Sequence, residues 1–136
     1  MTEYGKRAGE LFASGYNCAQ SVAGAFAEKC GLPLDVITKL ASSFGGGIAG
    51  RREMCGAVSG MLLVIGCLHG HAIPENAEQK QAHYAFSRAA MESFEKRLGT
   101  LICRERLEMN KTGESNVCTC REICEIAADI VAETLC

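Results

Sequence analysis

The chain has 136 residues, 48% of them apolar, and only two prolines. That is the length of one domain able to bury roughly two-thirds of its unfolded surface, and it is too apolar for a disordered chain. Fourteen basic against sixteen acidic residues leave a net charge of -2, which is no electrostatic footprint for nucleic acid, and no nucleic-acid-binding motif accompanies it.

The dominant period along the chain is helical. Ala8, Leu11, Phe12 and Tyr16 recur at helical spacing, with a break at Gly15. Asn17 has the side chain to cap a second helix, CAQSVAGAFAEKCG, which stops at Gly31 ahead of Pro33. Asp35 to Phe44 makes a short third helix, ended by three glycines. Glu53 to Gly70 reads as a central apolar helix. Pro74 opens a long, more polar segment with Ala82, Phe86, Ala89 or Ala90, and Phe94 on one face. Gly99 punctuates, and TLICRERL adds one or two turns. EMNKTGESN reads as a loop, and a last helix runs from about Val117 to Leu135. No run alternates with period two for long enough to demand a sheet. The expectation is an all-α fold: one cysteine-rich domain over residues 1–136, a compact bundle of about five to seven helices without repeats or a linker.

The start, MTEYGKRAGELF, has no apolar stretch and no small-residue cleavage site, so it does not read as a signal peptide. The longest apolar run, fifteen residues from Met54 to Leu68, falls short of the ~20 needed to cross a bilayer. A buried helix without a membrane span, in a cytoplasmic protein, is the expectation. Nine cysteines in a reducing compartment point to metal or thiol chemistry rather than a disulfide framework, although free cysteine is also a good small core residue.

FGGGIAGRREMCGAVSG, from Phe44 to Gly60, is the most unusual stretch. Gly45 to Gly50 spells the dinucleotide fingerprint G-x-G-x-x-G, but it follows a helix rather than a strand, so that reading lapses. Cys55 follows Arg51 and Arg52 and is expected in the first turn of the central helix. There the helix dipole and two guanidinium groups would favour the thiolate, giving a pKa below that of a free thiol. The backbone amides of Gly45, Gly46 and Gly47, with Arg51 beside them, suit a concavity for an anion or an iron–sulfur cofactor. Cys18 sits behind Asn17 at a helix start, and Cys103 is followed by Arg104 and Arg106. Cys120 and Cys124 are four apart, on one helical face; Cys118 lies just before them. Cys30, Cys67 and Cys136 read as bystanders, with Cys67 inside the most apolar helix.

The absence of C-x-x-C argues against thioredoxin chemistry and paired zinc knuckles, and the absence of C-x-x-C-H against covalent haem. His69 and His71 close the central helix, where cationic groups suit its dipole. His83 lies on the long helix, whose Glu75, Glu78, Glu92 and Glu95 suggest a solvated face. No E-x-x-H pair marks a di-iron site, and no serine sits in a nucleophile elbow.

GYNCAQSV, FGGGIAGRREMCGAVSG, GTLICRERL and CREICEIAADIVAETL, in that order, resemble the redox-active proteins of the C-GCAxxG-C-C family. The resemblance covers nearly the whole chain. It implies that the family cysteines fall on Cys18, Cys55, Cys103 and Cys120, the last chosen over Cys118 and Cys124 by its distance from Ala127-Ala128. Three readings follow. One is a thiol–disulfide redox protein, with Cys55 as the reactive thiolate and Cys18, Cys103 or Cys120 as partner. Another is an electron carrier in which Cys18, Cys55, Cys103 and Cys120 ligate an iron–sulfur cluster or other metal. The third is a helical partner protein whose cysteines only pack. The electron donor or redox partner protein is left unnamed, and the oligomeric state, a homo-oligomer included, is left open.

Overall fold

A computed structural model describes residues 1–113 and 119–135. Among them lie eight α-helices: α1 Glu3–Ala13, α2 Cys18–Ala25, α3 Ala27–Cys30, α4 Leu34–Ala41, α5 Gly56–His69, α6 Ala77–Leu98, α7 Cys103–Thr112 and α8 Cys120–Leu135. The all-α expectation is met. Cys118, Cys136 and the expected helix start at Val117 lie outside the described residues.

The local boundaries follow side-chain chemistry. Thr2 caps α1, its hydroxyl accepting from the Gly5 amide at 3.1 Å and donating to Asp129 of α8 at 2.7 Å. Asn17 and Gln20 form a reciprocal capping box at the start of α2, with bonds of 2.9 and 3.1 Å. The expected second helix is broken at Phe26 into α2 and α3, and Gly31 ends α3 with φ +70°. The expected third helix stops at Ala41, and Ser42–Phe44 continues as a tighter 3-10 turn. Glu108–Thr112, expected in a loop, instead continues α7 until Gly113 turns left-handed at φ +72°.

α2 lies between α1, α4, α5 and α8, while α6 leans on α5 and α8. The core between them holds Val22, Phe26, Met61, Ile65, Phe94 and Ile130, each fully or almost fully buried. Such side chains supply roughly 1.5–3 kcal/mol apiece. Only the C-terminal half of α6 joins this core, through Ala90, Phe94 and Leu98; Phe86 is half-buried, and Ala82 and Ala89 are exposed. Among the described residues no helix is long and apolar enough to cross a membrane.

Candidate functional site

Each of the four family-pattern cysteines stands at the start of a different helix. Cys18, Cys103 and Cys120 are the first residues of α2, α7 and α8, and Cys55 is the residue that caps α5. Together they line one cavity of about 40 Å³, with Gly46, Gly47, Arg52 and Arg106 among its walls. Four helix N-termini, each the positive end of a dipole, therefore meet at one place.

Three devices bring them there. The first is a close crossing of α2 and α5. A Cβ on Gly56 would come within 3.2 Å of both the Ala19 nitrogen and the Cys18 Cβ, and one on Gly60 within 2.9 Å of the Ala19 carbonyl oxygen. Glycine four residues apart thus lets the two backbones touch and seats Cys18 beside Cys55. The second is a short antiparallel bridge between Met54 and Ile102. The Cys55 amide donates to the Leu101 carbonyl at 2.8 Å and the Cys103 amide to the Glu53 carbonyl at 2.6 Å. That pairing fixes Cys103 next to Cys55, and it is too short to produce a period-two pattern.

The third device is the glycine segment. Gly46, Gly47, Ile48, Ala49 and Gly50 are consecutive left-handed residues, with φ between +51° and +77°. A side-chain-bearing residue pays roughly 1–2 kcal/mol for this conformation, so three glycines hold down the cost of the turn. Hydrogen bonds from Ala49 to Ser43 and from Arg52 to Gly46, at 2.6 and 3.0 Å, hold the loop. The Gly47 position is filled by its surroundings: a Cβ there would stand 2.7 Å from the Cys103 Cβ and from the Arg52 Cα.

The loop sends its two arginines in different directions. Arg52, itself left-handed at φ +61°, lines the cavity and points a guanidinium nitrogen at the Cys103 sulfur, 3.9 Å away. Arg51 is exposed and ion-paired with Glu53. Arg52, rather than the expected Arg51, therefore lines the cavity, and Gly45 lies against the Asn17 side chain, whereas Gly46 and Gly47 form part of the cavity wall.

Cys18, Cys55 and Cys120 are not held as free thiolates. Burial raises the Cys55 pKa to about 11; the Ala57 and Val58 amides oppose this and the Cys103 and Cys120 thiols add to it. This corrects the expected depression: the helix terminus acts in the anticipated direction, but desolvation outweighs it. Cys120 is raised by its thiol contact with Cys18 and by burial, against the pull of Arg52 and Arg106. For Cys18 the Cys120 contact lowers the value, while the Cys124 contact and burial together prevail and raise it.

Two residues noted in the sequence beside Cys103 and Cys120, but not assigned to the site, stand against it. Arg106 is only 1% exposed and donates to the Leu98 carbonyl and to Asn110. Its signal was its place three residues after Cys103, on the same helical face. Cys124, fully buried one turn beyond Cys120, reaches Cys18 through both its thiol and its carbonyl oxygen, the latter at 3.8 Å. Cys67 is exposed rather than buried, its sulfur 3.7 Å from the Cys30 carbonyl. α5 turns that face outward near its end.

All seven described cysteines are free thiols. Among the described residues no three His, Cys, Asp or Glu side chains are placed to share one metal ion. The histidines do gather at the far end of α5, with ring centroids 5.6 Å apart for His71 and His83 and 6.4 Å for His69 and His83.

No curated protein and no solved structure gives a match to this chain. The sequence model of one family, described as "Putative redox-active protein (C_GCAxxG_C_C)", does match, over residues 16–134. That span contains the four thiols at the helix starts, the left-handed glycine loop and the glycines of the α2–α5 crossing, and the chain belongs to the C_GCAxxG_C_C family.

Proposed function

We propose that this protein is a thiol–disulfide redox protein whose working pair is Cys120 and Cys18. The observation that carries the reading is the convergence of four helix-start cysteines on one cavity with two guanidinium groups. Cys18 and Cys120 are both partly exposed and in thiol contact, whereas Cys55 and Cys103 are buried. Cys120, the thiol that both guanidiniums favour as thiolate, attacks a disulfide of a partner protein. One partner sulfur leaves as a thiolate and takes up the proton from Cys120. Cys18 then attacks Cys120 in the mixed disulfide, passes on its own proton, and releases the second partner thiol. The chain ends with a Cys18–Cys120 disulfide and the partner with two thiols, so two electrons have moved. Helix termini and guanidiniums stabilise each transient thiolate, and the raised resting pKa values keep the pair protonated between turnovers.

Cys55 and Cys103, tied by the backbone bridge, form the other wall. Their burial argues against Cys55 as the attacking group. The iron–sulfur reading would use the same four sulfurs, but their present placement is not that of a ligand set, and the two guanidiniums are unneeded for it.

The test is thiol counting by alkylation and mass spectrometry after anaerobic purification and exposure to glutathione disulfide. Two thiols should disappear reversibly in the wild type, as one internal disulfide, whereas Cys18→Ser should lose only Cys120, trapped as its mixed disulfide with glutathione. Nine alkylatable thiols after oxidation would end the proposal, and iron bound at one cluster per chain would replace it with the metal reading.

A further inference from the structure

Cys18 touches two thiols of the same helix. Cys120 and Cys124 are one turn apart on α8, and both contact the Cys18 thiol. Cys124 also reaches the Cys18 carbonyl oxygen at 3.8 Å. Residues one helical turn apart hold their Cβ atoms about 5–6 Å from each other, whereas a disulfide needs about 3.5–4.5 Å. Cys120 and Cys124 therefore cannot bond each other while α8 is intact, and Cys18 can bond only one of them at a time.

We infer that Cys124 is a second resolving cysteine, which accepts the disulfide from Cys120 and stores it in the core as Cys18–Cys124. This rests on the thiol–disulfide reading above. In the step, the Cys124 sulfur attacks Cys18 within the Cys18–Cys120 disulfide. The S–S bond to Cys120 breaks as the bond to Cys124 forms, and the Cys124 proton ends on Cys120. No electrons enter or leave, so no further oxidant is needed beyond the partner disulfide that made the first bond. The two positions differ in access: Cys120 is partly exposed at the cavity, while Cys124 is fully buried. Moving the bond inward shields it from reductants and restores a free Cys120 thiol facing Arg52 and Arg106.

Disulfide mapping over time tests the relay. Full-length reduced protein is mixed with glutathione disulfide, samples are quenched with N-ethylmaleimide at intervals, and tryptic peptides are sequenced by mass spectrometry. Cleavage after Arg121 separates Cys120 from Cys124. The Cys18–Cys120 linkage should appear first and then decline as Cys18–Cys124 grows, with total disulfide unchanged. In Cys124→Ala, checked for its helical circular dichroism, Cys18–Cys120 should persist and be reduced by dithiothreitol faster than the oxidised wild type. Persistent Cys18–Cys120 in the wild type, with Cys124 never linked, overturns the relay and leaves the redox pair intact. A Cys18 bonded to Cys55 or Cys103 instead, or a Cys18 that forms no disulfide, sinks both proposals.

Discussion

Helix α5 is built differently at its two ends. At its start Gly56 and Gly60 press on the backbone and side chains of α2, and Cys55 is 5% exposed among other thiols. Near its finish Gly66 has nothing within 4 Å of where a Cβ would sit, Cys67 is exposed, and the imidazoles stand loosely together. One apolar helix thus carries two glycine–cysteine neighbourhoods with opposite physics. Close backbone approach at the first removes water and raises a thiol pKa; at the second the backbone stands open and the thiol meets water. Residue type alone does not decide what a cysteine does.

The largest expected effect probes the loop that closes the tight end. Gly47→Ala combines a left-handed φ of +73° with a Cβ 2.7 Å from its neighbours, so we expect a loss of about 3 kcal/mol in urea unfolding, with Cys103 alkylated faster. A stability within 0.5 kcal/mol of wild type would mean that the loop is not packed as described.

Gly60→Ala comes next. Its Cβ would meet the Ala19 oxygen and the Val22 Cβ at 2.9 Å, and overpacking of that kind costs about 1–3 kcal/mol. The same change at Gly66 meets open space and removes a helix-interior glycine, so it should stabilise by about 0.5–1 kcal/mol. The opposite signs are the test; two changes of the same sign would erase the contrast between the ends of α5.

The pH dependence sharpens it further. The folded chain keeps the Cys55 proton up to about 11, against an ordinary value of 9.0. The unfolded chain gives the proton up first, so this contribution is complete below pH 9 and lost as pH rises towards 11. The slope is about 1.4 kcal/mol per pH unit for one such group. Cys18 and Cys120 shift in the same direction. Urea midpoints should fall across that window, and less steeply in Cys55→Ala; parallel falls would show that Cys55 is not the desolvated thiol described.

Cys67→Ser carries the smallest effect. An exposed position whose sulfur meets the Cys30 carbonyl, a contact a serine hydroxyl can also make, should move stability by no more than about 0.5 kcal/mol. Cys67 should also react with iodoacetamide in the folded protein well ahead of Cys55. Slower alkylation of Cys67 than of Cys55 would reverse the assignment of the two ends.

Much was legible before the fold. Asn17, Gly31 and Gly99 mark helix boundaries because capping and left-handed backbone are local chemistry, carried by the residue itself. The order of the four cysteine blocks pointed to the thiols that share the cavity, since the family match spans them all. Tertiary structure alone decided the rest. The direction of the Cys55 pKa depends on how much water the α2–α5 crossing excludes, which no neighbour in sequence reveals. Which arginine serves the cavity turns on the left-handed φ of Arg52, imposed by hydrogen bonds to residues six positions earlier. The contact of Cys18 with Cys120 and Cys124 joins residues over a hundred positions apart. Helical periodicity places side chains on a face, but only packing chooses which face meets water and which meets another thiol.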